Sequence, residues 1–184
     1  MKLKDGFTLT IDHAQEADAT AILEHLNVVS TETDQLIFEE GTIPFTKTTE
    51  AAFIRSMKES PNSVLYTGKV NGRIVAVASI QGYPRKKMRH RGVIGISIRK
   101  PYWNQGIGTA MMRALVEYAK DNPMLEILEL TVRKDNPHAI RLYKNFDFSV
   151  TATYERCYRI KNQYYDAYFM TLHLAKNTTQ KDEG

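Results

Sequence analysis

The chain has 184 residues, 42% hydrophobic and 25% charged, which suits one domain with a full core and is too short for two comfortable ones. Its 25 Lys and Arg against 21 Asp and Glu leave a net charge of +4 and a pI near 9.1, mildly basic and compatible with a polyanionic ligand. Cys157 is the single cysteine, so a disulfide framework or a cysteine-rich metal site is excluded; with no apolar leader or membrane-length run, the expected location is the reducing cytoplasm.

Phe7, Leu9 and Ile11 alternate with Thr8 and Thr10, which predicts a first strand. Asp12 is placed to cap a helix whose apolar stripe is Ala19, Ile22, Leu23 and Leu26. From Ser30 to Phe45 the pattern fades and Gly41 and Pro44 enter, so this stretch reads as mostly loop. Thr48 and Thr49 precede Glu50, Phe53, Ile54 and Met57 in a second helix that ends before Pro61. Val64 to Val70 and Ile74 to Ile80 flank Asn71-Gly72, a strong hairpin signal because a type I′ turn needs positive φ at both central residues. The loop from Pro84 to Arg91 then gathers Arg85, Lys86, Lys87, Arg89 and Arg91, either a solvated hairpin loop or a contact for phosphate or an acidic partner.

Val93 to Ile98 is β-branched and apolar, as a buried strand should be, and Pro101 ends it. Gly106 and Gly108 follow within one turn, and Ile107, Met111, Leu115 and Ala119 then recur at helical spacing. A glycine turn opening a helix bares backbone N–H groups at the positive end of the helix dipole, where a phosphate ester is favoured. Met111 stands where a dinucleotide fingerprint needs its third glycine, and no lysine separates Gly108 from Thr109 as a Walker A loop requires. Both usual nucleotide motifs are thereby excluded. Leu128, Leu130 and Val132 make a further strand, and Asn136-Pro137 supplies an N-cap with proline at the first helical position. Ala139, Ile140, Leu142, Tyr143 and Phe146 carry that helix. Two last strands, Phe148 to Ile160 and Tyr165 to Leu174, hinge at Lys161-Asn162-Gln163, and residues 175–184 read as a disordered polar tail.

The glycine turn resembles the Arg/Gln-x-x-Gly-x-Gly/Ala pattern of the GNAT N-acetyltransferase superfamily, with Trp103 where that pattern has Arg or Gln. Val132-x-x-x-Asn136-x-x-Ala139-Ile140-x-Leu142-Tyr143, running on to Phe148, resembles the same superfamily's second signature. Asp147 replaces its usual glycine, and aspartate also tolerates a left-handed backbone. The likeness spans Phe7 to Leu174 and implies an α/β (α+β) fold, one domain over residues 1–174, with a mixed central sheet of about seven strands flanked by about four helices.

The resemblance further implies acetyl-CoA as co-substrate and no metal. By it, the backbone of Gln105, Gly106, Ile107, Gly108 and Thr109 cradles the pyrophosphate, and main-chain groups of Ile96 and Ile98 pair with the pantetheine arm. Asn136 either binds pantetheine or serves only as a cap. Tyr143 matches the tyrosine that protonates or hydrogen-bonds the leaving thiolate, the alternative being a ring packed in the core. The amine arrives mostly protonated, so a base or water chain must take its proton. The ribosomal-protein alanine acetyltransferases, which this chain also resembles, have Leu-Glu-Val-Arg where Leu130-Thr131-Val132-Arg133 stands, and Thr131 cannot be that base. Glu39, Glu40, His90 and Glu155 stay open as candidates, with water.

The expected reaction is acetyl transfer to a primary amine of a small molecule: a polyamine, an amino acid or an amino sugar. A protein N-terminus or lysine is the second acceptor class, and a non-catalytic acyl-CoA-binding domain the third reading. No nucleic-acid partner is expected, because Tyr83 is the one aromatic close to the basic loop. A homodimer is common in the superfamily.

Overall fold

The computed structural model describes residues 1–3, 6–36 and 43–175. Glu39, Glu40 and most of the expected C-terminal tail lie outside the described residues. In chain order the elements are β1 (Leu9–His13), α1 (Ala19–Glu32), α2 (Lys47–Glu59), β2 (Val64–Val70), β3 (Arg73–Gly82), β4 (Arg91–Ile98), α3 (Ile107–Asp121), β5 (Ile127–Arg133), α4 (Pro137–Lys144), β6 (Ser149–Ile160) and β7 (Gln163–His173). The strands form one seven-stranded sheet in the order β1-β2-β3-β4-β5-β7-β6, with β4 and β5 parallel and the other neighbours antiparallel. This matches the expected mixed sheet.

Local chemistry explains most of the boundaries. Asn71 and Gly72 sit at φ 49° and 76°, the positive pair a type I′ turn demands, and Lys161 and Asn162 repeat it at 45° and 65° between β6 and β7. Asp147 at φ 65° adopts the left-handed backbone expected of it. Thr46 caps α2 in a reciprocal pair with Thr49, so the helix opens at Lys47 and holds Thr48 and Thr49 in its first turn. Two expectations shift near the N-terminus. Asp12 lies inside β1, and a 3-10 turn at Glu16–Asp18 intervenes before α1. Gln15 and Asp18 cap that turn reciprocally. The helix also runs to Glu32, past the predicted loop start. Val29 is buried to 1% exposure, and the Glu32 carboxylate accepts the Lys100 N–H at 2.7 Å, so the last turn gains tertiary partners that periodicity does not register.

The sheet separates two cores. On one face Met111, Met112, Leu115 and Ala119 of α3 and Tyr143 of α4 pack on Ala76, Ala78, Ile80, Leu128, Leu130 and Met170. Full burial of a side chain such as Leu115 is worth about 1.5–3 kcal/mol, so α3 is held mainly by this stripe. On the other face Ile22 of α1 and Ile54 and Met57 of α2 meet Leu65, Ile74 and Val77. The centre of the sheet is not continuous. β4 pairs with β5 only from Arg91 to Val93 against Ile127 to Glu129, whereas β5 pairs with β7 along its whole length. Beyond Val93, β4 keeps β3 alone, and the two parallel strands part into a cleft.

Candidate active site

The glycine turn stands at the open end of that cleft. Gly106 is the N-cap of α3 at φ 83°, a left-handed conformation that favours glycine. No side chain caps α3 there, in contrast to Thr46 on α2 and Asn136 on α4. The first-turn N–H groups of Ile107, Gly108 and Thr109 therefore have no intrahelical acceptor and no capping oxygen. A Cβ on Gly108 would lie 3.2 Å from Leu142 and 3.4 Å from Ile98, so the turn has no spare room on its inner side. A Cβ at Gly106 would meet nothing nearer than Met1 at 3.9 Å, so the turn is open outward. Free donors, a positive helix end and an open outer side suit a pyrophosphate.

Trp103 accounts for the departure from the superfamily pattern. Its indole N–H donates to the Ile98 carbonyl at 2.8 Å, tying the loop back to the end of β4. That bond takes one of the two lone pairs of the Ile98 oxygen. Ile96 and Ile98 are half-buried and lie on the part of β4 that β5 has left, paired with Ala78 and Ala76 of β3. Gln105 donates only a long 3.4 Å bond to the Pro101 carbonyl, and its Oε1 is sealed without a partner.

On α4, the Asn136 Oδ1 accepts the Ala139 N–H at 3.1 Å, so the capping role is filled while its amide donors make no hydrogen bond among the described residues. Tyr143 is 8% exposed, with its ring 6.0 Å from that of Phe148. Burial pushes its phenol up to about 12. The hydroxyl bonds to no described residue, yet it is not among the polar atoms sealed from water. It opens on accessible space, as a proton or hydrogen-bond donor must.

The remaining base candidates are not drawn to this point. His90 is half-buried in the loop before β4, where its carbonyl accepts the Glu126 and Ile127 N–H groups. Glu155 is exposed on β6.

Two polar clusters escaped the sequence reading. At the closed end of the cleft, Glu129 is 3% exposed and accepts the Tyr83 hydroxyl at 2.6 Å and the Arg91 Nε at 2.8 Å. A second Arg91 nitrogen, Nη2, also bonds Glu129, and the guanidinium lies 5.6 Å from the Tyr83 ring centre. The Glu129 carboxylate raises the Tyr83 phenol above its ordinary value. Further along the same face, His25 of α1 is fully buried with Nε2 2.9 Å from the Ser97 Oγ. Burial, with the nearby Arg99 charge, lowers its pKa to about 4. In the sequence Glu129 merely alternates with Leu128 and Leu130, and a lone carboxylate between leucines is the one faint signal.

Comparison with known proteins supplies the class. A model of the acetyltransferase (GNAT) family matches residues 30–148, and the chain belongs to that family. Among solved structures, a GNAT acetyltransferase from Streptococcus pneumoniae superposes with a TM-score of 0.88 at 30% identity, over 91% of this chain and 100% of that one. The protein yncA from Salmonella typhimurium, solved with acetyl-CoA, agrees in fold with a TM-score of 0.82 at 19% identity, over 95% and 99% of the two chains. An L-amino acid N-acetyltransferase, AaaT, of Escherichia coli K12 is 31% identical over 102 residues, 55% of this chain and 62% of the relative, so less than two thirds of that relative is spanned. The N-alpha-acetyltransferase RimI of Mycobacterium tuberculosis is 30% identical over 120 residues, 65% of this chain and 72% of the relative.

Proposed function

We propose that the protein is an acetyl-CoA-dependent N-acetyltransferase acting on the primary amine of a small molecule: a polyamine, an amino acid or an amino sugar. The observation that carries this reading is the cleft between β4 and β5, with an uncapped glycine-led helix terminus at its open end. Acetyl-CoA, when bound, supplies an activated thioester. The N–H groups of Ile107, Gly108 and Thr109 hold its pyrophosphate, and the main chain of Ile96 and Ile98 lines the arm. Tyr143 keeps its proton at neutral pH, because burial has raised the phenol to about 12. A thiolate, at an ordinary value of about 8.5, is the weaker base by roughly three decades. Tyr143 therefore steadies the departing sulfur by donating a hydrogen bond. The carbon–sulfur bond breaks as the carbon–nitrogen bond forms, and the proton that reaches sulfur is the one the amine gives up, relayed through water.

The N-terminus of a protein is the second reading, favoured by the likeness to the mycobacterial N-alpha-acetyltransferase. Release of free CoA is to be followed against a panel of amines, with intact-mass detection of the product. Amine-dependent release is expected. A melting-temperature rise with acetyl-CoA but no release with any amine would leave only an acyl-CoA-binding domain.

A further inference from the structure

The cluster at the closed end of the cleft distinguishes among those acceptors. Arg91 and Val93 share one face of β4 with Ser97, the face that α1 covers through His25, and Glu129 lies on the same face of β5. Val93 is 38% exposed and Gly95 is exposed, so this face is uncovered between α1 and the Arg91–Glu129 pair. From Ile98 to Val93 a strand covers roughly 16 Å, the run along which a ligand held at the glycine turn must reach. Its far end is Arg91. Glu129 grips the guanidinium through Nε and Nη2 and so fixes its plane. Nη1 bonds to no described residue and is not sealed from water. Arg85, Lys86, Lys87 and Arg89, all exposed on the adjoining loop, form no ion pair among the described residues.

We infer that Arg91 selects the acceptor: its open guanidinium edge takes the carboxylate of a free α-amino acid and sets the neighbouring amine toward the cleft. This rests on the acetyl-transfer reading above and narrows it. A polyamine brings only positive charge to a positively charged end of the sheet. A protein N-terminus presents a neutral amide carbonyl where the free amino acid carries a carboxylate, and forfeits the charge-assisted bond. Glu129 is a positioning residue, since its oxygens are committed to Arg91 and Tyr83.

The test pairs each of several L-amino acids with its amide and its decarboxylated amine. Titration calorimetry on CoA-saturated protein reads binding, and kcat/KM with acetyl-CoA reads turnover. The acid is expected to exceed its amide by roughly 10–100-fold on both measures. Arg91→Gln should bring that ratio to near one, chiefly by raising KM for the acid. Arg91→Lys keeps the charge but loses the fixed fork, and should fall between. Glu129→Gln should lower the ratio while Arg91 is still present. Should Arg91→Gln fail to fold, the wild-type ratio and Arg91→Lys decide. Equal handling of acid and amide by the wild type, or an intact ratio in folded Arg91→Gln, overturns the inference while leaving acetyl transfer standing. If no amine is acetylated, acetyl transfer falls, and the binding ratio still judges Arg91.

Discussion

His25 gives this fold a measurable pH dependence. The ring is fully buried, Nε2 faces Ser97, and burial outweighs a backbone contact with Ile74 that favours the proton. Protonation would bury a cation beside Arg99, itself 6% exposed and joined to Glu24 at 3.3 Å. The pKa accordingly falls from 6.5 to about 4. In the unfolded chain the ring takes a proton below its ordinary value of about 6.5, whereas the native ring stays neutral until about 4. Between those limits the unfolded state binds more protons, so stability is full above about 6.5 and falls by about 1.4 kcal/mol per pH unit on acidification. The whole window is worth about 3 kcal/mol, a large share of a typical native stability of about 5–15 kcal/mol. His25→Gln removes the titration and keeps a donor for Ser97. Urea midpoints for the two proteins should converge as pH falls from about 7 to about 4.5, because only the wild type loses the histidine contribution. The carboxylates of Glu16, Glu24, Asp135 and Asp166, lowered by their partners, also cost stability in acid, but they are common to both proteins. Parallel losses across that range would refute the buried-neutral assignment.

Other perturbations test the remaining parts of the site. Tyr143→Phe should lower kcat by about 10²–10³-fold, the usual worth of one hydrogen-bond donor to developing negative charge. Its melting temperature should hardly move, since the hydroxyl has no partner to lose among the described residues; normal turnover would end the assignment. Gly108→Val drives methyl groups at Leu142 and Ile98, so it should cost about 1–3 kcal/mol and also abolish the thermal shift given by acetyl-CoA. A retained shift would sink the pyrophosphate cradle. Trp103→Phe deletes the indole N–H bonded to Ile98 and should cost about 1 kcal/mol in denaturant melts, with a smaller acetyl-CoA shift; an unchanged melt would show the anchor to be idle.

Much of the architecture was legible because it is written in short-range code. Asn71-Gly72 forces a hairpin through its own backbone preferences, and Asn136-Pro137 starts a helix with two adjacent residues. The stripe of α3 repeats at helical spacing and is buried where that spacing puts it. Reading failed where a distant partner decided. The end of α1 depends on Lys100, 68 positions away, whose amide meets Glu32. Nothing within residues 30–45 encodes that contact.

The site divides along the same line. The turn proposed to hold the pyrophosphate is local, so Gly106 and Gly108 declare it, and Tyr143 sits in a motif carried on one helix. The proposed acceptor contact is assembled instead from β4, β5 and the residue that follows β3. Tyr83 and Glu129 are 46 positions apart, and Arg91 and Glu129 are 38 apart, and each looks ordinary in its own segment. Arg91 is one of several cations in a polar loop, and Glu129 occupies an alternate position in a strand as any solvent-facing glutamate would. Only the parallel register that sets Val93 against Glu129 brings them together and seals the carboxylate at 3% exposure. A carboxylate so buried needs a hydrogen-bonded pairing. Arg91 is that pairing, which is why its guanidinium is held in one plane at the end of the cleft.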